Sequence, residues 1–240
     1  MNNTVINLYH TSNTTVIDAF DGAVANLCRQ REKHGYKSFL LAGCEPGAGT
    51  TTVSLELSIV LARTGWKTLL IDADMRKNVA YKRLNENINR GLVDYIVGTC
   101  EEDEIIYPTN VEFLSYISSG NTRDRNPLRL FYSHRTSKLL SILENMYDFI
   151  IVDSPALNSC IDSHILAGKC NSTILVAALD GSSKKVLEDD YEKLTKEGVS
   201  ISGVIENKIS LDSYKNYLKD YDYFQEKKYL HGNHLSFDKF

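Results

Sequence analysis

Three short runs of this sequence carry residue types suited to chemistry. The first is Gly43-Cys44-Glu45-Pro46-Gly47-Ala48-Gly49-Thr50-Thr51-Thr52. Glycines at 47 and 49 let the backbone turn its N–H groups inward, which makes a concave nest for phosphate oxygens. A helix opening near Thr51 adds its positive N-terminal end, and the Thr51 hydroxyl stands where a P-loop side chain meets magnesium. Alone, the run also reads as an ordinary Gly-rich strand-to-helix turn with a threonine cap. The second run is Leu69-Leu70-Ile71-Asp72-Ala73-Asp74-Met75-Arg76, and the third is Phe149-Ile150-Ile151-Val152-Asp153-Ser154-Pro155. Each ends an apolar stretch in aspartate, where a carboxylate holds magnesium or its waters and orients an attacking hydroxyl. One such aspartate is commonly a helix N-cap. Three, on runs that follow a glycine loop in order, point to a nucleotide and magnesium site built from Asp72, Asp74, Asp153 and Thr51.

These runs need elements to hold them. Strands are predicted over Ser38 to Ala42, Lys67 to Asp72, Val111 to Ile117, Asp148 to Asp153, Thr173 to Ala178 and Ser200 to Glu206. They are near-continuous apolar runs, as in parallel strands covered on both faces. Helical patterns lie between them, over Thr51 to Thr64, Ser133 to Met146, Ser159 to Lys169 and Ser183 to Glu197. In the first, Val53, Leu57, Val60 and Leu61 share one face. The alternation predicts an α/β fold with a mostly parallel sheet and helices on both faces, a P-loop NTPase architecture whose ligand sits beyond the strands' carboxyl ends. Residues 1–13 read as a polar, loosely held N-terminus, 14–210 as one nucleotide-binding domain, and 211–240 as a tail rich in tyrosine, lysine, aspartate and histidine.

Composition narrows the function classes. At 240 residues and 42% hydrophobic, the chain is sized for one core. A net charge of −4 gives no electrostatic case for nucleic acid. No apolar run is long enough to span a membrane, and Met1 to His10 lacks the pattern of a secretory signal. The five cysteines have no paired spacing and read as reduced thiols, which predicts a cytoplasmic chain. His134 and His164 read as surface or capping residues, and His231 and His234 as solvated.

The three runs together resemble the Walker-type motifs of the bacterial tyrosine kinases, P-loop proteins related to septum-site and partition ATPases. Arg90-Gly91-Leu92, Asn126-Pro127-Leu128 and Gly203-Val204-Ile205-Glu206-Asn207-Lys208 extend the likeness over roughly residues 14–230. The resemblance implies ATP or ADP with magnesium as cofactors. It implies nucleotide contacts from Pro46, Gly47, Ala48, Gly49, Thr50, Thr51 and Thr52, with Asn207 reaching the adenine, and magnesium on Thr51 and Asp74. Asp72 and Asp153 would assist the tyrosyl attack. It further implies a role in capsule or exopolysaccharide synthesis, with recruitment to the inner membrane face by a membrane-embedded polysaccharide chain-length regulator. In such proteins a tyrosine cluster at the tail is phosphorylated by a neighbouring subunit, which makes Tyr214, Tyr217, Tyr221, Tyr223 and Tyr229 the phosphoacceptor candidates. The same tyrosines have the spacing of a packed terminal helix.

Two departures stand out against that resemblance. The family's P-loop lysine belongs at position 50, where this chain has Thr50. A lysine there gives the phosphates a charge-assisted hydrogen bond worth ~1.5–3 kcal/mol, and a missing preorganised donor slows transfer ~10²–10³-fold. Arg76 and Lys77 are the nearest candidates for a partial substitute. The family also carries a Glu-x-x-Arg-x-x-Arg helix that assembles a ring, and here Asp21 and Val24 stand at the arginine positions. The expectation is a catalytically impaired relative that is a monomer or dimer rather than a ring, with an active autokinase phosphorylating its tyrosine-rich tail and a nucleotide-independent regulatory scaffold as the alternatives.

Overall fold

The computed structural model describes residues 5–8, 11, 13–76, 88, 90–120, 126–179 and 184–209. Its centre is made by apolar runs with no polar alternation. Ser38–Gly43 (β1), Thr68–Asp72 (β2), Phe149–Asp153 (β5) and Ser172–Ala178 (β6) are buried at every position. The pleat sends successive residues to opposite faces. In β1, Leu40 and Ala42 join one hydrophobic cluster while Phe39 and Leu41 join the other. A sheet with two apolar faces must be covered twice, and the helices divide accordingly.

On one face lie α1 (Thr14–His34) and α2 (Thr50–Arg63). Their buried residues Val24, Leu27, Val53, Leu57, Val60 and Leu61 belong to one cluster. The other cluster takes α3 (Leu92–Val97), α4 (Pro127–Phe131), α5 (His134–Met146), α6 (Asp162–Ala167) and α7 (Lys184–Lys196). Adding β3 (Tyr107–Pro108), β4 (Leu114–Ile117) and β7 (Ile201–Asn207), the seven strands run in the order β3-β4-β2-β5-β1-β6-β7. Every pair is parallel except β3 with β4. The predicted α/β architecture is therefore the one observed.

Several local expectations shift. The strand predicted from Val111 starts at Leu114, because the chain turns at Phe113 with a φ of 65°. The helix predicted over Ser159 to Lys169 is confined to Asp162–Ala167. α3, α4 and β3 are too short for periodicity to reveal. Residues 5–8 are held rather than loose. Ile6 bridges Thr109 in parallel beside β3, with its N–H on Pro108 O and its carbonyl accepting from Asn110 N. Ile6 and Leu8 are both buried there. The Leu8 N–H donates to Asn110 Oδ1, and the Thr11 N–H donates to Glu56 Oε1 on α2. A bare sheet edge gains backbone partners in this way.

Candidate functional site

All three chemical runs reach the carboxyl edge of the sheet, because β1, β2 and β5 are adjacent, parallel and in register. Asp72 pairs with Asp153, and Leu41 of β1 lies opposite Asp153 on its other side. The run after β1 then turns into α2. Gly47 and Gly49 adopt φ of 83° and 90°, a left-handed conformation that suits glycine. Gly49 caps α2 without a side-chain hydrogen bond of its own. The loop is pinned at both ends, with Cys44 N donating to Val176 O and Val53 N to Gly49 O.

Asn207 adds a third restraint. Its Nδ2 donates to Ala48 O at 2.8 Å, and a Cβ on Gly49 would lie 2.3 Å from that nitrogen. The asparagine expected to reach an adenine thus has its amide nitrogen committed to the loop backbone. Glycine at 49 is required for that approach as much as for the φ angle. Thr50 folds over the start of the loop, where a Cβ on Gly43 would lie 2.5 Å from its Oγ1.

The three aspartates are all buried. Asp72 Oδ1 accepts from the Asp74 N–H at 3.1 Å, and Asp153 Oδ1 accepts from Ser54 Oγ at 3.2 Å. Ala73 N donates to Asp153 O, which ties the second run to the third. The turn after Asp153 is fixed by Ser154, whose Oγ donates to Leu41 O, and by Leu157 N donating to Gly43 O. Buried carboxylates kept in place by hydrogen bonds are preorganised for a cation. Among the described residues, no three His, Cys, Asp or Glu side chains form a protein-only metal cage. Magnesium held by one or two side chains and by phosphate oxygens needs none. The residues present, Thr51 at the helix start with Asp72, Asp74 and Asp153 on the strand ends, fit a magnesium–nucleotide pair.

Arg76 is not available as a stand-in for the missing lysine. Its Nε and Nη2 donate to the two carboxylate oxygens of Asp162 at 2.7 and 2.9 Å. Asp162 is fully buried, so breaking this fork would strand a desolvated charge. Lys77 and the five tail tyrosines, Tyr214, Tyr217, Tyr221, Tyr223 and Tyr229, lie outside the described residues.

Three features escaped sequence reasoning. Ser54 and Asp162 fell inside predicted helices with nothing to single them out. Asp190, inside the charged run of α7, is 5% exposed and lies beside the Cys44 thiol. Burial, with the Asp190 charge beside it, pushes that thiol up to about 12. His164 is likewise buried rather than superficial, with Nδ1 3.0 Å from Glu197 Oε2.

Comparison with known proteins agrees with this geometry. A family model described as AAA domain matches residues 41–189. The chain is 34% identical over 197 residues to the tyrosine-protein kinase CpsD of Streptococcus pneumoniae, covering 80% of this chain and 86% of that one. It is 34% identical over 168 residues to a putative tyrosine-protein kinase in the cps region of Klebsiella pneumoniae, of which it spans only 23%. Among solved structures, the kinase domain of the Escherichia coli tyrosine kinase ETK superimposes with a TM-score of 0.75 at 26% identity, over 80% of this chain and 75% of that one. The chain belongs to the capsule-type bacterial tyrosine-protein kinases, built on a P-loop domain.

Proposed function

We propose that this protein binds ATP or ADP with magnesium and is impaired in phosphoryl transfer. The observation that carries the reading is the combination of a built phosphate loop with, among the described residues, Thr50 at the lysine position and Arg76 tied to Asp162. The loop glycines, the uncapped start of α2, and the buried Asp72, Asp74 and Asp153 supply binding and metal groups. Thr50 supplies no charge, and Arg76 is held by Asp162. Magnesium, when bound, would neutralise phosphate charge. Thr51 and Asp74 would hold it, while Asp72 and Asp153 would orient an incoming tyrosyl hydroxyl and draw off its proton.

The lost charge-assisted bond weakens nucleotide binding by roughly 10- to 150-fold against a lysine-bearing loop, and slows transfer by ~10²–10³. One relative's name places it in a cps region, and a capsule setting is proposed here on that likeness. The partner is a membrane-embedded polysaccharide chain-length regulator that recruits this chain to the cytoplasmic face. The described residues contain no helix long and apolar enough to cross a membrane.

Calorimetric titration with ADP, with and without magnesium, tests the binding half. Weak binding that strengthens with magnesium is expected, and Thr51→Ala should erase most of the magnesium effect. No heat and no thermal shift at millimolar MgADP would leave only a nucleotide-independent scaffold.

A further inference from the structure

Residues 5–8 run along the outer edge of the sheet, beside β3, and are held as a bound peptide would be. Ile6 and Leu8 are 5% and 3% exposed, whereas Val5 and Asn7 face outward, so an extended segment buries one side only. The backbone polar groups of both buried residues are met. The Ile6 N–H donates to Pro108 O at 3.0 Å, and its carbonyl accepts from Asn110 N at 3.1 Å. The Leu8 N–H donates to Asn110 Oδ1 at 2.7 Å, and its carbonyl accepts from Asn110 Nδ2 at 3.1 Å. Asn110 thus grips a peptide backbone with its own main chain and with both ends of its amide.

The side chains of Ile6 and Leu8 join the apolar cluster of Tyr107, Leu114 and Tyr116. Main-chain hydrogen bonds with apolar seats at alternate positions are the chemistry by which a sheet edge takes up an added strand. These contacts ask only for two apolar side chains two positions apart. The anchorage is also light. Two side chains and four hydrogen bonds oppose the entropy of ordering the segment. The next printed restraint is the Thr11 N–H on Glu56 Oε1 of α2, just ahead of α1. An edge segment of this kind opens without global unfolding, for about 0.1–10% of the time.

We propose that the β3 edge is a docking site for an extended segment of a partner protein with apolar residues two positions apart, clamped by Asn110, and that residues 5–8 fill it in cis as an exchangeable occupant. Tethering gives residues 5–8 an effective concentration on the order of millimolar, so the site is latched rather than open. A second copy gains nothing by exchange, because each segment would replace an identical one. A partner segment that runs past these four positions adds contacts that residues 5–8 do not make. Exchange would also free the lead into α1, which begins at Thr14.

The probe is a fluorescein-labelled peptide with the sequence of residues 3–10, followed by anisotropy. It is titrated into the full wild-type chain and into the full chain carrying Ile6→Asp with Leu8→Asp, which vacates the edge. The vacated chain should bind at least about tenfold more tightly than the wild type, and adding Asn110→Ala should abolish binding. No binding by a vacated chain that still melts cooperatively, or binding indifferent to Asn110, overturns the proposal. If the vacated chain does not fold, hydrogen exchange of the wild type decides. The Ile6 amide should exchange at least about tenfold faster than the amides of β1, and millimolar peptide should speed it several-fold by taking the edge. Exchange as slow as in β1, or no acceleration by peptide, overturns the proposal. A wild-type dimer in light scattering that Ile6→Asp with Leu8→Asp disperses would assign the edge to a second copy and overturn the partner reading.

Discussion

Single side chains decide how much chemistry this fold retains. Thr50 removes a charge that Arg76 cannot return, because the Arg76 guanidinium is forked onto the buried Asp162. Arg76→Ala would leave that carboxylate desolvated and unpaired. It should lower stability by about 2–4 kcal/mol in urea unfolding, with Arg76→Lys in between because it keeps charge but loses the fork. Asn207 has a different task. Its amide holds Ala48 O across the loop, so Asn207→Ala should loosen the loop and weaken MgADP binding about tenfold by calorimetry, with little change in melting temperature. Unchanged affinity would mean the loop holds its shape without it. Asp190 makes a prediction independent of nucleotide. Burial raises its carboxyl, so the folded state favours the protonated form. The stabilisation it lends is complete below the ordinary carboxyl range and is lost as pH rises through the raised value. Thermal melts should show Asp190→Asn more stable than the wild type at pH 8, with the gap closing toward pH 4.

At the scale of elements, the sequence was most readable where one physical rule dominates. β1, β2, β5 and β6 are unbroken apolar runs because both sheet faces are covered, and all four were placed within a residue or so. Asp72 and Asp153 could be assigned to one edge because parallel strands that follow a glycine loop end on the same side. What stayed hidden depends on long-range contacts. β3 is two residues held by the Tyr107–Tyr116 register, and Ile6 and Leu8 are ordered only by the edge they cover. The Cys44–Asp190 contact joins positions 146 apart, with no local pattern to announce it. Helix α1 shows the same limit. By landmarks, Val24 takes the place of a ring-forming arginine, yet it is 6% exposed and packs in the α1–α2 cluster, while Asp21 is exposed. Only Asp21 therefore bears on assembly as a surface charge. Val24→Arg should act as a core lesion, lowering the melting temperature by about 10 °C or more, whereas Asp21→Arg should leave it within a degree or two.

For the whole molecule, a kinase frame with threonine at the P-loop lysine position is proposed to bind nucleotide better than it transfers phosphate. The resemblance sets Asp21 where a ring-forming arginine is expected, and we propose a monomer or dimer, which light scattering at tens of micromolar would register against a closed ring. The central claim concerns transfer. Its most direct test is the rate of tyrosine phosphorylation of the full chain with ATP and magnesium, followed by phosphotyrosine immunoblot in the wild type and in Thr50→Lys. The wild type should give little or no signal, and Thr50→Lys should raise the initial rate by about two orders of magnitude. A wild-type chain that phosphorylates its tyrosines rapidly, with no gain from a lysine at position 50, would contradict the account.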